Sequence, residues 1–222
     1  IMAASGRAAV RDRMAAALLA STGCGDLTDS LRVVRIGSPR VRRAAHRFLA
    51  TSPLPLGPAN AVTSRILAAA LMGPGAGKEQ ARFSARIITA CRGRPRSRWG
   101  RVLGGLDLKT EVAGLTAPTA VLVGTADKLT PLSCSEVITA KLPRLVEYTE
   151  LPGIGHMTPV ECPEEVAGAI DRLVENHLRG PGAPPQTAEG PAAEPLTGTA
   201  PVGSALPGAG RPPAKEDHEQ AT

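Results

Sequence analysis

Pro118-Thr119-Ala120-Val121-Leu122-Val123-Gly124-Thr125-Ala126-Asp127-Lys128-Leu129-Thr130-Pro131 changes character twice within one short stretch. Residues 119–123 form a continuous apolar run, the pattern of a parallel strand covered on both faces. Gly124 ends it. Thr130-Pro131 then offers an N-cap followed by Pro at the first helical position, where the missing N–H costs nothing, so a helix is expected to about Leu142. A strand, a short loop and a helix start in this order read as part of an open α/β sheet, whose ligands gather at the C-terminal ends of the strands. Asp127 lies in that loop. It can serve as a turn residue or a cap, but Thr130 is better placed to cap, which leaves the carboxylate for another partner.

Working outward, Leu145 to Leu151 is a second strand, more polar and therefore nearer an edge. It leads into Leu151-Pro152-Gly153-Ile154-Gly155-His156-Met157. A loop histidine is usually a polar surface group, yet glycines on its N-terminal side let the backbone fold tightly and present the imidazole to a cleft. Pro163 opens a last helix, with Glu164 and Glu165 at its positive end and Val166, Ala169, Ile170, Leu173 and Val174 spaced for one buried face. Upstream, Met14 to Ala20 is a short apolar run closed by Ser21-Thr22-Gly23; periodicity does not separate strand from helix there. Between the two well-written parts, helix-like stretches at about Arg40 to Leu49, Ala61 to Met72 and Lys78 to Cys91 are broken by Pro53, Pro55, Gly57 and Pro58 and by Gly73-Pro74-Gly75-Ala76-Gly77. This reads as a helical insertion. Beyond Arg179 the sequence turns to Gly, Pro, Ala and Thr with no aromatic residue, so 180–222 is expected to be a disordered tail.

The chain has 222 residues, enough for one domain and a tail, and it opens at Ile1 rather than at a Met. Its four cysteines, Cys24, Cys91, Cys134 and Cys162, are scattered, without the paired spacing of a zinc site or redox dithiol, so no metal and no cofactor is expected. No apolar run approaches the roughly 18 residues that cross a bilayer. Residues 32–101 hold fourteen arginines and Lys78 against Glu79 alone, a net of +14; the overall charge is +6, so the remainder carries −8. Such a block could attract an anionic substrate, a lipid surface or nucleic acid, although arginine enrichment on solvated helix faces is the simpler explanation. Nucleic acid is not expected, because aromatic residues on which bases could stack are sparse among the arginines.

Pro118 through Pro131 and Leu151 through Val166 together resemble the C-terminal signature of the α/β-hydrolase superfamily. In that family an acid follows one late strand, a histidine follows the last strand, and a Glu-x-Pro-Glu-Glu helix start closes the fold; Glu161, Pro163, Glu164 and Glu165 match the closing pattern. The resemblance spans about residues 106–178, in the family's order of acid before histidine. It implies an α/β fold comprising the late parallel strands with flanking helices and a helical cap insertion. It also implies Asp127 as catalytic acid and His156 as catalytic base, acting on an ester or acyl small molecule, with an anionic one suggested by the basic block. Asp26, after the earlier strand, is a rival acid, because some members place it there.

The family also demands a nucleophile elbow, Gly-x-Ser-x-Gly, upstream of both loops. No Ser, Cys or Asp in this sequence has glycine two positions away on both sides; Ser5, Ser21 and Cys24 all fail. Residues Ile1 to Ser5 instead resemble the helix after the elbow, and Met14 to Ala20 the strand after it. The expected organisation is therefore 1–23 as the end of an N-terminal core, 24–105 as a cap or lid, 106–179 as the C-terminal core, and 180–222 as tail. The chain reads as the C-terminal part of a cytoplasmic carboxylic ester hydrolase, inactive by itself; its oligomeric state is not written in the sequence. An Asp nucleophile, as in epoxide hydrolases and dehalogenases, and a non-catalytic binding module are the alternatives.

Overall fold

Apolar residues at 17–20 and 119–123 need cover on both faces, and they find it in a sheet flanked by helices. The computed structural model describes residues 7–34 and 37–179. The helix read over Ile1 to Ser5 and the tail expected at 180–222 lie outside them. Three strands, β1 (Ala17–Ala20), β2 (Thr119–Gly124) and β3 (Leu145–Leu151), pair in the order β1-β2-β3, all parallel. Every residue of β2 is buried. Successive side chains point to opposite faces: Val121 joins Ala17, Leu19, Ile138 and Leu142 on one side, and Leu122 joins Leu151 and Ala169 on the other. β3, at the edge, is mostly exposed, as its polar sequence predicts.

Parallel neighbours require crossovers. A short helix α1 (Ala8–Arg11) precedes β1, and the long β1–β2 crossover carries α2 (Leu27–Ser30), α3 (Pro39–Thr51), α4 (Ala61–Leu71), α5 (Lys78–Ala90), α6 (Gly93–Gly104) and a 3-10 turn at Glu111–Gly114. α7 (Leu132–Thr139) links β2 to β3, and α8 (Thr158–Glu161) and α9 (Pro163–His177) follow. The starts of α3 and α4 have local causes. Ser38 Oγ accepts the Val41 N–H with Pro39 in the first turn, and Asn60 Oδ1 accepts from Val62 and Thr63.

Three expectations are corrected. The sequence does not predict α6, because Gly93, Pro95 and Gly100 argue against a helix by propensity. Packing overrides it: Gly93, Ser97 and Gly100 form one small-residue face against the end of α3. A Cβ on Gly93 or Gly100 would meet the Pro53 or Ala50 carbonyl oxygen at 1.8 Å, and Ser97 donates to the Thr51 carbonyl. α7 begins at Leu132 with Pro131 as its N-cap residue, and Thr130 does not cap it. In α9, Ala169 and Leu173 are buried, but Ile170 is 45% exposed. It lines an open apolar groove with Val10, Met14, Leu18 and Leu178 rather than the core.

Candidate active site

The loops after β2 and β3 meet because the strands are parallel neighbours, so both loops emerge at the same end of the sheet. Ala126 N donates to the Ile154 carbonyl at 2.9 Å and Gly153 N to Thr125 Oγ1 at 2.9 Å, which ties one loop to the other. The side chains of Asp127 and His156 come together there, with Asp127 Oδ2 3.0 Å from His156 Nδ1. The Asp127 side chain is fully buried while that of His156 keeps 27% exposure. Asp127 Oδ1 accepts from the backbone N–H of Leu129 at 2.8 Å and of Thr130 at 2.9 Å, and the Thr130 hydroxyl donates to Oδ2 at 2.8 Å. Thr130 Oγ1 is also 3.2 Å from His156 Nδ1. Asp127 therefore closes its own turn and meets His156 with the other oxygen. The expectation that Thr130 would cap the helix and leave the carboxylate free is reversed, for Thr130 is itself one of the carboxylate's donors.

Burial is the largest influence on the Asp127 carboxyl and pushes its pKa up. The hydrogen bond and charge of His156, with the two Thr130 bonds, outweigh it and hold the pKa below the ordinary value. A carboxyl depressed in the folded state stabilises the fold above its unfolded pKa of about 3.9, and that contribution is lost as pH falls through the lower folded value. The melting-temperature gap between the parent chain and Asp127→Asn should therefore be constant near neutrality and narrow under acid conditions. A gap that widened in acid would contradict the pairing.

The histidine loop is held by contacts the sequence does not advertise. Gly153 adopts φ 72°, in the left-handed region. The His156 backbone N–H donates to the Leu71 carbonyl at 2.7 Å. Glu161 accepts three backbone N–H groups, from Gly73 at 2.7 Å and Gly155 at 3.0 Å on Oε2 and from Met157 at 3.1 Å on Oε1. One carboxylate thus pins the histidine loop to the end of α4. Glu161→Ala would strand these donors, each unmade bond costing about 1–3 kcal/mol if water does not replace it. Thermal unfolding should show a loss of roughly 3 kcal/mol for Glu161→Ala and a smaller one for Glu161→Gln, which retains an acceptor oxygen.

Asp26, the rival acid, is taken by Lys109, which donates to its Oδ2, and it stands exposed at the start of α2 with φ 51°. Ser21, at the C-terminal end of β1, is buried with φ 44°, and its hydroxyl is hydrogen-bonded to Thr158 Oγ1. Gly23 lies two positions after Ser21, but Leu19 lies two before it.

No protein-family model and no curated protein matches the sequence. Solved structures do. An α/β-hydrolase enzyme from a Medee basin deep-sea metagenome library superposes with a TM-score of 0.57 at 13% identity, over 84% of this chain and 63% of that one. A hydrolase from Pseudomonas aeruginosa gives 0.54 at 20% identity, over 78% and 59%. A thermophilic esterase from Thermogutta terrifontis gives 0.53 at 22% identity, over 75% and 58%. In each case this chain spans less than two thirds of the neighbour's length. Among the described residues no helix is long and apolar enough to cross a membrane.

Proposed function

We propose that this chain, whose fold is that of the α/β-hydrolases, contributes Asp127 and His156 as the acid and base of a carboxylic ester hydrolase whose nucleophile lies in sequence preceding Ile1. The observation that carries this reading is the 3.0 Å contact between a buried, backbone-anchored carboxylate and a partly exposed imidazole. A carboxylate only accepts hydrogen bonds, so the contact requires the proton on Nδ1 and leaves Nε2 unprotonated in the neutral ring. Nε2 then takes the proton of a serine hydroxyl as it attacks the ester carbonyl, and returns it to the leaving alcohol; water repeats the cycle on the acyl-enzyme. Asp127 holds the tautomer and stabilises the imidazolium. The esterase among the structural neighbours favours an ester over the epoxide or halide that an Asp nucleophile would take.

Residues 24–105 act in this reading as the cap that controls access. Contacts from its middle to the acid and base loops support that: Leu71 O receives the His156 N–H, Ala69 O receives the Lys128 ammonium, and Gln80 Nε2 donates to Val160 O. The 222-residue chain by itself lacks a Gly-x-Ser-x-Gly nucleophile and is proposed to be inert. The test is hydrolysis of short p-nitrophenyl esters by the chain, by a form extended with its upstream coding sequence, and by His156→Ala and Ser21→Ala of each. Activity in the extended form alone, lost in His156→Ala and kept in Ser21→Ala, supports the proposal. Turnover by the 222-residue chain that vanishes in either variant refutes it.

A further inference from the structure

The helices α3 to α6 are amphipathic in an inverted sense. Their buried residues are small or polar: His46 in α3, Ser64 in α4, Ser84 and Ala85 in α5, Ser97 and Gly100 in α6. Most of their large apolar side chains face outward. Val62 and Ile66 on α4, and Phe83 and Ile87 on α5, are exposed pairs at i, i+4 spacing, while α3 exposes Phe48 and Leu49, and α6 exposes Trp99 and Val102. Arginines stand beside these side chains on the same exposed faces: Arg65 next to Ile66, Arg82 and Arg86 next to Phe83 and Ile87, Arg98 and Arg101 around Trp99. A solvated face needs charge, but it does not need this many aliphatic and aromatic groups among its charges. Basic side chains bordering exposed Trp, Phe and Leu are the makeup of a helix that lies in a membrane interface, where the apolar groups enter the acyl boundary and the cations meet anionic headgroups.

We propose that α3 to α6 form a peripheral docking surface for an anionic lipid bilayer. Charge complementarity selects this occupant. A second copy docking through the same surface would set the +14 of residues 32–101 against an equal charge. Nucleic acid would meet the arginines and could stack on Phe48, Phe83 and Trp99, but it would leave the exposed aliphatic Val62, Ile66 and Ile87 without a partner. A bilayer carrying acidic headgroups satisfies both the cations and the aliphatic groups. The inference does not rest on the triad reading, since docking needs no chemistry at His156, and its test reads binding rather than turnover.

Trp99 supplies the probe, as the chain's one tryptophan and 65% exposed. Vesicles of phosphatidylcholine, with or without phosphatidylglycerol, would be added to the 222-residue chain while tryptophan emission and co-sedimentation are followed. The expected result is a blue shift and sedimentation with the phosphatidylglycerol vesicles, weakened by salt. Partition should fall about tenfold or more for Phe83→Ser/Ile87→Ser, exposed positions whose replacement should leave circular dichroism unchanged. Absence of partition overturns the proposal, as does a double variant that binds like the parent, which reduces the effect to charge adsorption. A single-stranded oligonucleotide that binds more tightly than the vesicles, irrespective of the double variant, assigns the surface to nucleic acid. A dimer by sedimentation that the double variant dissociates, without lipid binding, assigns it to a second copy.

Discussion

If the proposed reading holds, Asp127→Asn in a form that carries the upstream nucleophile should lower kcat by about 10⁴ while leaving the fold in place. The size follows from which way the amide must sit. Oδ1 accepts the N–H groups of Leu129 and Thr130, so the new side chain has to keep its carbonyl oxygen there to avoid facing donors with donors. Its NH2 then occupies the Oδ2 position, 3.0 Å from His156 Nδ1. An NH2 group only donates there, so Nδ1 must accept and the ring proton moves to Nε2, the nitrogen that has to act as base. The imidazole stays where it is and carries its proton on the wrong side. Substrate binding should change little, so the loss belongs in kcat and not in KM. A variant that retained most of its kcat would mean that Asp127 only closes its turn.

Gly155→Ala should be among the most damaging single methyls in the described part of the chain. A Cβ at position 155 would lie 2.4 Å from the Gly73 nitrogen and 2.4 Å from the Met72 carbonyl carbon, both backbone atoms that no rotamer change moves. Gly73 faces the same junction, with its own Cβ placed 1.8 Å from the Gly153 carbonyl oxygen. Relief requires the histidine loop to part from the end of α4, which breaks the His156 to Leu71 bond and the Glu161 bridge together. Overpacking typically costs about 1–3 kcal/mol, and a backbone-on-backbone clash belongs at or above the upper end. Gly75→Ala is the internal control, since nothing lies within 4 Å of a Cβ there. Denaturant unfolding should show a loss of about 3 kcal/mol or more for Gly155→Ala and little change for Gly75→Ala.

What was legible in the sequence was whatever local pattern decides. The unbroken apolar run at 119–123 is the central strand, the polar strand at 145–151 is the edge, and the helix-like stretches near 40–49, 61–72 and 78–91 are α3, α4 and α5. The two loops that carry Asp127 and His156 were marked by their residues and by their positions after strands, and the structure brings their side chains together. What escaped was decided by groups distant in sequence or by competition between equals. Asp127 and Thr130 are both good turn and cap residues, and only the positions of the Leu129 and Thr130 N–H groups show that the aspartate does the closing. α6 was hidden because its glycines and proline oppose a helix until α3 lies against them; the spacing of Gly93, Ser97 and Gly100 was the available signal. Glu161 was matched as part of a closing pattern, but its work depends on Gly73, 88 positions away, and nothing local points there.

The central claim, that Asp127 orients His156 as a base, is tested most directly by ¹⁵N NMR of the His156 ring in the 222-residue chain above the histidine titration range. The predicted spectrum has the proton on Nδ1 with Nε2 unprotonated in the parent, and the reverse in Asp127→Asn. A parent ring protonated on Nε2, or a tautomer that the substitution leaves unchanged, would contradict the account.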